Sequence, residues 1–573
     1  MTTRPVRNLA ELVTPPMEEA KRRKGNAPDH TNRAGAPSYT RSLREQVVQV
    51  LTTGTLGDTY YASRGEIARE AVEVLTACRE ADPSFLAKAL VYGREEGMMK
   101  TLPVMGLVVL SAGGGRTKEL FECVFDRVIK TPDDLHSFVE FAVSGVISGR
   151  KGLGGIAVAP VRRWLCGMSE YHTLKYGSAV SKGMTLRDII RMSHPKPGDA
   201  RTSEMFGWLV RGKGGLGSDA SLNPKLRALE ALKLATTSNE QISLIREGRL
   251  PYEVVVPSLS ATSTEIWSEL LHQAPYMNLL RMLATFTRHK VFANEENVRY
   301  AVEKLTDPDA IRHSKVLPFR FFNAWQAYEG VEGRHMAIAD ALRQACETSF
   351  QNMPSFGNRT VVIAPDTSLS MNCEVSDKGT TQFIDIAGLF TGALLKRCED
   401  RALVLPFDTC VHTDHDLSRR DDILVTAQKV ASYGGGGTAV GAPVQHLLDR
   451  KIKADVVIGI TDNEEWAYGE GSYAKGRFFD LWLRYKQEVN PDAVAYLITI
   501  APYRDAVAPR GAKGVHFIYG WSDRVLQYIG TTLEGGESQI QSVERIELDD
   551  VGATASLVRA RADSSSDCAN PGG

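Results

Sequence analysis

Apolar residues recur at three- and four-residue steps through GEIAREAVEVLTACREA (65–81), with polar residues between them. That spacing lines one face of an α-helix. PSFLAKALVYGREEG (83–97) keeps the period, opens with Pro and closes with Gly, a helix start and stop. TKELFECVFDRVI (117–129), DDLHSFVEFAVSGVI (133–147), STEIWSELLHQ (263–273) and YMNLLRMLATFTRH (276–289) repeat the pattern. Medium-length helices joined by short turns suggest paired helices stacked as a solenoid over residues 41–355, although no fixed sequence period is present.

Near residue 356 the period changes. RTVVIAP (359–365), RALVLPF (401–407), ADVVIGIT (454–461) and AVAYLITI (493–500) are short β-rich runs. Helical patterns separate them, over 380–400, 439–450 and 477–488. Strands alternating with helices predict a parallel sheet covered on both faces, a doubly wound α/β domain over 356–535. Residues 1–40 are rich in Pro, Arg, Lys, Asn and Gly and are expected to form a mobile tail. A C-terminal extension over 536–573 ends in RADSSSDCANPGG, and that end is expected to be disordered.

Charge sharpens this division. Residues 1–350 carry 46 Lys+Arg against 39 Asp+Glu, and 351–573 carry 22 against 30, so a nearly neutral chain has a basic and an acidic half. The window 151–250 holds 16 basic and 8 acidic residues, which makes it the first place to look for a polyanionic partner. The N-terminus has no apolar signal-peptide core, and LPVMGLVVL (102–110) is too short to span a bilayer. None of the eight cysteines forms a Cys-x-x-Cys pair, so reduced thiols in a cytoplasmic protein are expected.

The strand-like run VVIAP leads directly into Asp366, Ser368 and Ser370. In an open α/β sheet, ligands collect at the carboxyl ends of the strands. Thr438 follows a four-glycine turn just before a helix, and Asp462 ends another strand-like run. These five residues offer oxygen donors only, a set suited to a hard divalent cation, Mg²⁺ or Mn²⁺. The plain alternative is that Asp and Ser merely cap helices and Gly-Gly-Thr makes a turn.

Asp366-Thr-Ser368-Leu-Ser370, Gly-Gly-Thr438 and Thr-Asp462-Asn resemble the von Willebrand factor A domain. The resemblance implies that the five residues form a metal-ion-dependent adhesion site. LREQVVQVLTTGTLGDTYYAS (43–63), LRDIIRMSHPKP (186–197) and the stretch 245–283 are similar to the TROVE module of Ro-type RNA-binding proteins. The two modules follow one another in that family's order, which makes the resemblance more specific than either module alone, and a bacterial or phage relative is expected. The resemblance implies a ring of HEAT-like α-helical repeats followed by the von Willebrand A domain. It further implies capture of single-stranded 3′ ends of misfolded noncoding RNA in a basic hole. Y-like small RNA would bind outside, and polynucleotide phosphorylase or another exoribonuclease is an implied partner. A monomer within a ribonucleoprotein, and no membrane partner, are expected.

Candidate RNA contacts are Lys151, Lys175, Lys182, Arg187, His194 and Lys196, within a group that also holds Arg150, Arg162, Arg163 and Arg191. The resemblance points to His194 in its Ser-His-Pro-Lys-Pro turn, and to Lys175 and Lys182 ahead of it. The competing reading is that such side chains solvate helix faces or pair with acids. Tyr60, Tyr61, Trp164, Tyr171 and Tyr176 could stack on bases, although aromatics at helical spacing are more often core.

Other signals fail. GWLVRGKG (207–214) nearly spells a phosphate loop, but Gly214 stands where Ser or Thr is required. His412 and His415 read as surface residues of a polar turn. No metalloprotease helix, nucleophile elbow or paired-acid nuclease pattern is present, so no enzyme activity is expected. The alternative to an RNA scaffold is a metal-dependent protein adhesion module acting through the ion site.

Overall fold

The computed structural model describes residues 27–548 except 55–57, 148, 150–151, 178–183, 260–261, 315, 317, 351–355, 376–379, 523, 534 and 536. The chain divides into two compact units. One gathers Met1–Leu102, Leu317–Asn323 and Cys346–Ile546, and the other Pro103–Val316, Ala324–Ala345 and Glu547–Gly573. The first three long helices, Leu43–Thr53, Arg64–Ala81 and Pro83–Glu95, thus share a unit with the β-rich region instead of joining the remaining helices.

The first unit opens with β1 (His30–Thr31) and β2 (Pro37–Thr40), an antiparallel hairpin. Its main sheet contains β3 (Val361–Pro365), β4 (Ala402–Val404), β5 (Val456–Thr461), β6 (Val494–Thr499) and β8 (Val515–Tyr519). The spatial order is β4-β3-β5-β6-β8, and every pair is parallel. This is the doubly wound order in which the winding reverses between β3 and β5. β3 and β5 are buried along their whole length, which explains continuous apolar runs in place of alternation. The helix Phe383–Cys398 is buried almost throughout. A Cβ on Gly388 would stand 2.6 Å from the Ala427 Cα, so this helix and Ile423–Val430 approach backbone to backbone.

The hairpin corrects the expectation of a mobile tail over the whole of 1–40. Residues 1–26 lie outside the described residues, but 28–40 are tied down. Tyr39 and Thr40 of β2 pair with β7 (Asp505–Ala506). Arg41 donates to the Asp505 carbonyl at 2.6 Å and Ser38 to the Ala506 carbonyl at 3.0 Å. Tyr39 is buried in the apolar cluster under the sheet. The polar, Gly- and Pro-containing composition hid these nonlocal partners. Of the C-terminal extension, Gln539–Glu544 is a helix with a Ser538 capping box, and 549–573 lie outside the described residues.

The second unit is a repeat-like array in which helices pack chiefly on near neighbours along the chain, while Glu170–Tyr176 also reaches Tyr252–Ser258. Capping boxes start the helices Pro132–Ser144 (Thr131 with Asp134) and Leu186–Ser193 (Thr185 with Asp188), each worth about 1 kcal/mol. Phe121, Phe125 and Phe138 form a buried aromatic triad with centroids 5.3–5.9 Å apart. Gly212–Gly215, inside the near-match to a phosphate loop, is a short 3₁₀ turn ending the helix Ala200–Arg211, with no strand before it. No described helix is long and apolar enough to cross a membrane.

His30 bonds Asp29 and Asp505 at the hairpin base. Burial lowers its pKa, but the two carboxylates outweigh burial and lift it from 6.5 to about 9. The protonated form is therefore favoured in the folded chain. Its contribution to stability is complete below about pH 6.5 and disappears as pH rises through about 9. The Tm difference between wild type and His30→Ala should be largest at the acidic end and shrink through that interval. A difference independent of pH would show that the imidazolium contributes nothing.

Candidate functional site

β3 and β5 end beside each other at the point where the winding reverses, and each ends in an acid. Asp366 N–H donates to the Ile460 carbonyl at 2.9 Å, which fixes the two strand ends in register. Asp366 Oδ1 accepts the Ser368 N–H at 2.9 Å, and Oδ2 accepts the Thr461 hydroxyl at 2.6 Å. The Ser368 hydroxyl lies 3.2 Å from that of Ser370 and 3.1 Å from that of Thr438. Asp462 Oδ1 accepts the Glu464 N–H at 3.0 Å. Asp366, Ser368, Ser370, Thr438 and Asp462 are thus brought together, and all are buried.

The glycine run before Thr438 has steric causes. Gly434 has φ +77°, and a Cβ there would lie 2.3 Å from the Thr367 hydroxyl. At Gly437 a Cβ would meet the Trp466 ring at 2.4 Å. The turn therefore passes close enough to the first strand end to deliver the Thr438 hydroxyl.

Burial raises the Asp366 carboxyl, and the neighbouring Asp462 charge adds to it, bringing the pKa to about 7. Burial also raises Asp462. Asp462 Oδ2 is enclosed and has no hydrogen-bond partner. A carboxylate oxygen so placed is costly unless a positive charge meets it. Two facing carboxylates, three converging hydroxyls and one orphaned acceptor fit a hard cation. Such an ion would offset the carboxylate charges and offer any open coordination position to an external oxygen ligand.

The acids after Asp462 gave no sequence signal of their own, yet all are buried. Asn463 takes φ +64° and donates to the Thr499 hydroxyl at 2.7 Å. Glu464 accepts the Arg33 N–H at 2.9 Å. Glu465 accepts the N–H groups of Gly441 at 2.8 Å and Phe478 at 3.0 Å, at the starts of two helices. Asn32 of the hairpin donates to the Glu465 carbonyl at 2.8 Å. Tyr61, a candidate base-stacking residue, packs edge-on against Tyr503 and has its phenol pushed up to about 12 by burial and then by the Asp462 charge. It belongs to the surroundings of the acidic site.

The candidate RNA residues are in the helical unit, and their environments differ. Lys151, Lys182 and Arg150 lie outside the described residues. Lys175 is ion-paired with Glu253 at 2.8 Å and sits between the Tyr171 and Tyr176 rings. Burial opposes its charge, but the Glu253 bond and charge together with Tyr171 and Tyr176 outweigh burial and hold its pKa above the ordinary value. Lys175 is therefore engaged internally, as are Arg163 with Asp126 at 3.0 Å and Trp164 with the Ile129 carbonyl at 2.9 Å. Arg187, Arg191, His194 and Lys196 are exposed on and after the helix Leu186–Ser193. His194 caps that helix in the left-handed conformation, φ +50°, and its N–H donates to the Ile190 carbonyl at 2.8 Å. Arg162 donates to the Ser193 carbonyl, and the Cys166 thiol lies 3.4 Å from the Lys196 carbonyl. These two bonds staple the turn to the helix Gly154–Cys166 and set Arg162 beside His194 and Lys196.

The TROVE domain family model matches residues 254–378, and the Ro60 vWA domain model matches 360–529. The chain thus carries a region matching the TROVE model, followed by a region matching the Ro60 vWA model. Among individual proteins it is similar to RNA-binding protein RO60 of Deinococcus radiodurans. That likeness is 26% identity over 462 residues, covering 76% of this chain and 83% of the relative. RNA-binding protein RO60 of Caenorhabditis elegans is 23% identical over 478 residues, covering 71% of each. The crystal structure of the Deinococcus radiodurans RO (RSR) protein shares the fold with a TM-score of 0.63 at 21% identity, covering 85% of this chain and 99% of that one.

Removing a bound divalent cation leaves two like charges buried together. Chelation should lower the Tm, and added cation should restore it, by about 2.7 kcal/mol of stability at a hundredfold excess over Kd. Asp366→Asn should abolish the recovery. An unchanged Tm on chelation and readdition would count against an ion at this site.

Proposed function

We propose that this chain is an RNA-binding scaffold of the Ro type. In this reading it captures single-stranded 3′ ends of misfolded noncoding RNA and binds a Y-like small RNA on its helical unit. The observation that carries the reading is the exposed group Arg162, Arg191, His194 and Lys196 at one stapled helix end, with Arg187 exposed in the first turn of the same helix. Several cationic side chains held close on a rigid backbone suit the regular spacing of phosphates. Similarity to proteins named RNA-binding protein RO60 supports it. The scaffold reading assigns no catalytic residue; degradation of captured RNA would fall to a partner exoribonuclease such as polynucleotide phosphorylase. The seven described cysteines are all free thiols, which accords with action in the cytoplasm.

The ion we assign to the acidic site is Mg²⁺ or Mn²⁺. The hydroxyl separations of 3.1 and 3.2 Å are close to the roughly 2.9 Å edge of an octahedron with metal–oxygen bonds of about 2.0–2.1 Å. A second reading, a metal-dependent adhesion module for an acidic protein partner, is favoured by Leu369 and Trp466. These large apolar residues are 47% and 48% exposed, and both adjoin the site in sequence or by backbone bonds. It uses other residues than the RNA reading, so both can hold.

Binding of a stem-loop RNA with and without a single-stranded 3′ tail, over a salt series, tests the RNA reading. Each lost phosphate contact lowers the salt slope by about 0.7 for single strands. The triple change Arg187→Glu, His194→Glu, Lys196→Glu should weaken binding about tenfold or more and flatten that slope. Lys175→Ala should change affinity far less, because its ammonium is held by Glu253. Unchanged affinity in the triple variant would remove this surface from the reading.

A further inference from the structure

His412, expected to be an ordinary surface residue, is half-buried beside an acid and a thiol. The chain after β4 folds back on itself as a tight hairpin. Phe407 pairs antiparallel with Val411, Asp408 N–H donates to the Cys410 carbonyl at 3.0 Å, and His412 N–H donates to the Pro406 carbonyl at 2.9 Å. This turn brings the alternate side chains of Asp408, Cys410 and His412 together, with one donor atom from each within 4.8 Å of the others.

The spacing suits a shared ion in place of the long hydrogen bond that the Cys410 thiol donates to Asp408 Oδ1. His412 Nε2 is 3.1 Å from Asp408 Oδ1, and Cys410 Sγ is 3.9 Å from the same oxygen. A tetrahedral zinc ion, with bonds of about 2.0 Å to N or O and 2.3 Å to S, separates its N and O ligands by about 3.3 Å and its S and O ligands by about 3.5 Å. Despite its closeness to Asp408, His412 Nε2 makes no hydrogen bond of acceptable geometry, although the atom is buried. The Tyr433 ring stacks on the imidazole, with centroids 6.3 Å apart, and fixes its plane.

We propose that Asp408, Cys410 and His412 form a second cation site, a three-ligand Zn²⁺ site with an open fourth position, separate from the all-oxygen group. A thiolate, an imidazole and a carboxylate together select a borderline-soft ion over Mg²⁺ or Ca²⁺. Binding displaces the Cys410 thiol proton to solvent as the sulfur–metal bond forms. The site is also tied to its neighbour. Asp408 Oδ2 accepts the Gly436 N–H at 3.0 Å, and its backbone carbonyl accepts the Ala439 N–H at 2.9 Å. An ion fixing Asp408 would therefore stiffen the turn that carries Thr438.

The test uses the full chain, stripped with chelator and titrated with Co²⁺ as a spectroscopic substitute for Zn²⁺. The expected result is a thiolate-to-cobalt charge-transfer band that Zn²⁺ bleaches, with release of a proton. Cys410→Ser should lose the band, and His412→Gln should weaken Co²⁺ binding at least about tenfold. Ser370→Ala, in the all-oxygen group, should keep the band. No band in wild type, an equal band in Cys410→Ser, or unchanged affinity in His412→Gln would each overturn the proposal. Circular dichroism of both near-isosteric variants verifies that the chain remains folded.

Discussion

Two carboxylates buried at one point of a parallel sheet are the constraint around which the first unit is organised. Parallel strands with a 2-1-3-4-5 order leave one crevice, outside the carboxyl ends of β3 and β5. Placing Asp366 and Asp462 there is unfavourable in isolation, because burial and their mutual charge both oppose ionisation. The surroundings answer that cost residue by residue. Thr461 and the Ser368 amide bond Asp366, the Glu464 amide bonds Asp462, and the glycine turn brings Thr438 within reach. The unpaired Asp462 oxygen is what these groups leave for an ion.

The same constraint explains the ordered N-terminal hairpin. The loop after Asp462 buries Asn463, Glu464 and Glu465 as well, and such a loop cannot be held by apolar contacts alone. The hairpin supplies polar partners, through Arg33 to Glu464 and Asn32 to the Glu465 carbonyl, while His30 and Arg41 fasten the adjoining β7. A segment whose composition resembles a tail is thus part of the support for the second acid.

The alternation of strands and helices, the parallel sheet and the convergence of five oxygen donors were legible because each has a local signature. Fully apolar runs mark buried strands, and an acid with hydroxyls at alternate positions marks a strand end. What escaped depended on partners distant in sequence. The hairpin is ordered by residues near 505, and Glu465 caps helices starting near 441 and 477. The Asp408–Cys410–His412 group had a visible two-residue spacing, but only the tight turn, closed by the Phe407–Val411 bridge, decides that the side chains meet.

Basic residues show the limit most directly. Counting charge locates a window, because counterion release depends on the number of cations near the phosphates. It cannot rank them, because a neighbour from another helix decides which are available. Lys175 and Lys196 are equivalent as letters. Yet Lys175 is consumed by Glu253 across 78 residues of chain, whereas Lys196 stands exposed in a turn pinned by its own carbonyl. Removing an internally paired lysine leaves its half-buried acid uncompensated and changes stability first. Removing an exposed one changes only what the surface can attract. The helix end at Ser193–Lys196 therefore carries more of the argument for a polyanion partner than the larger number of basic residues around it.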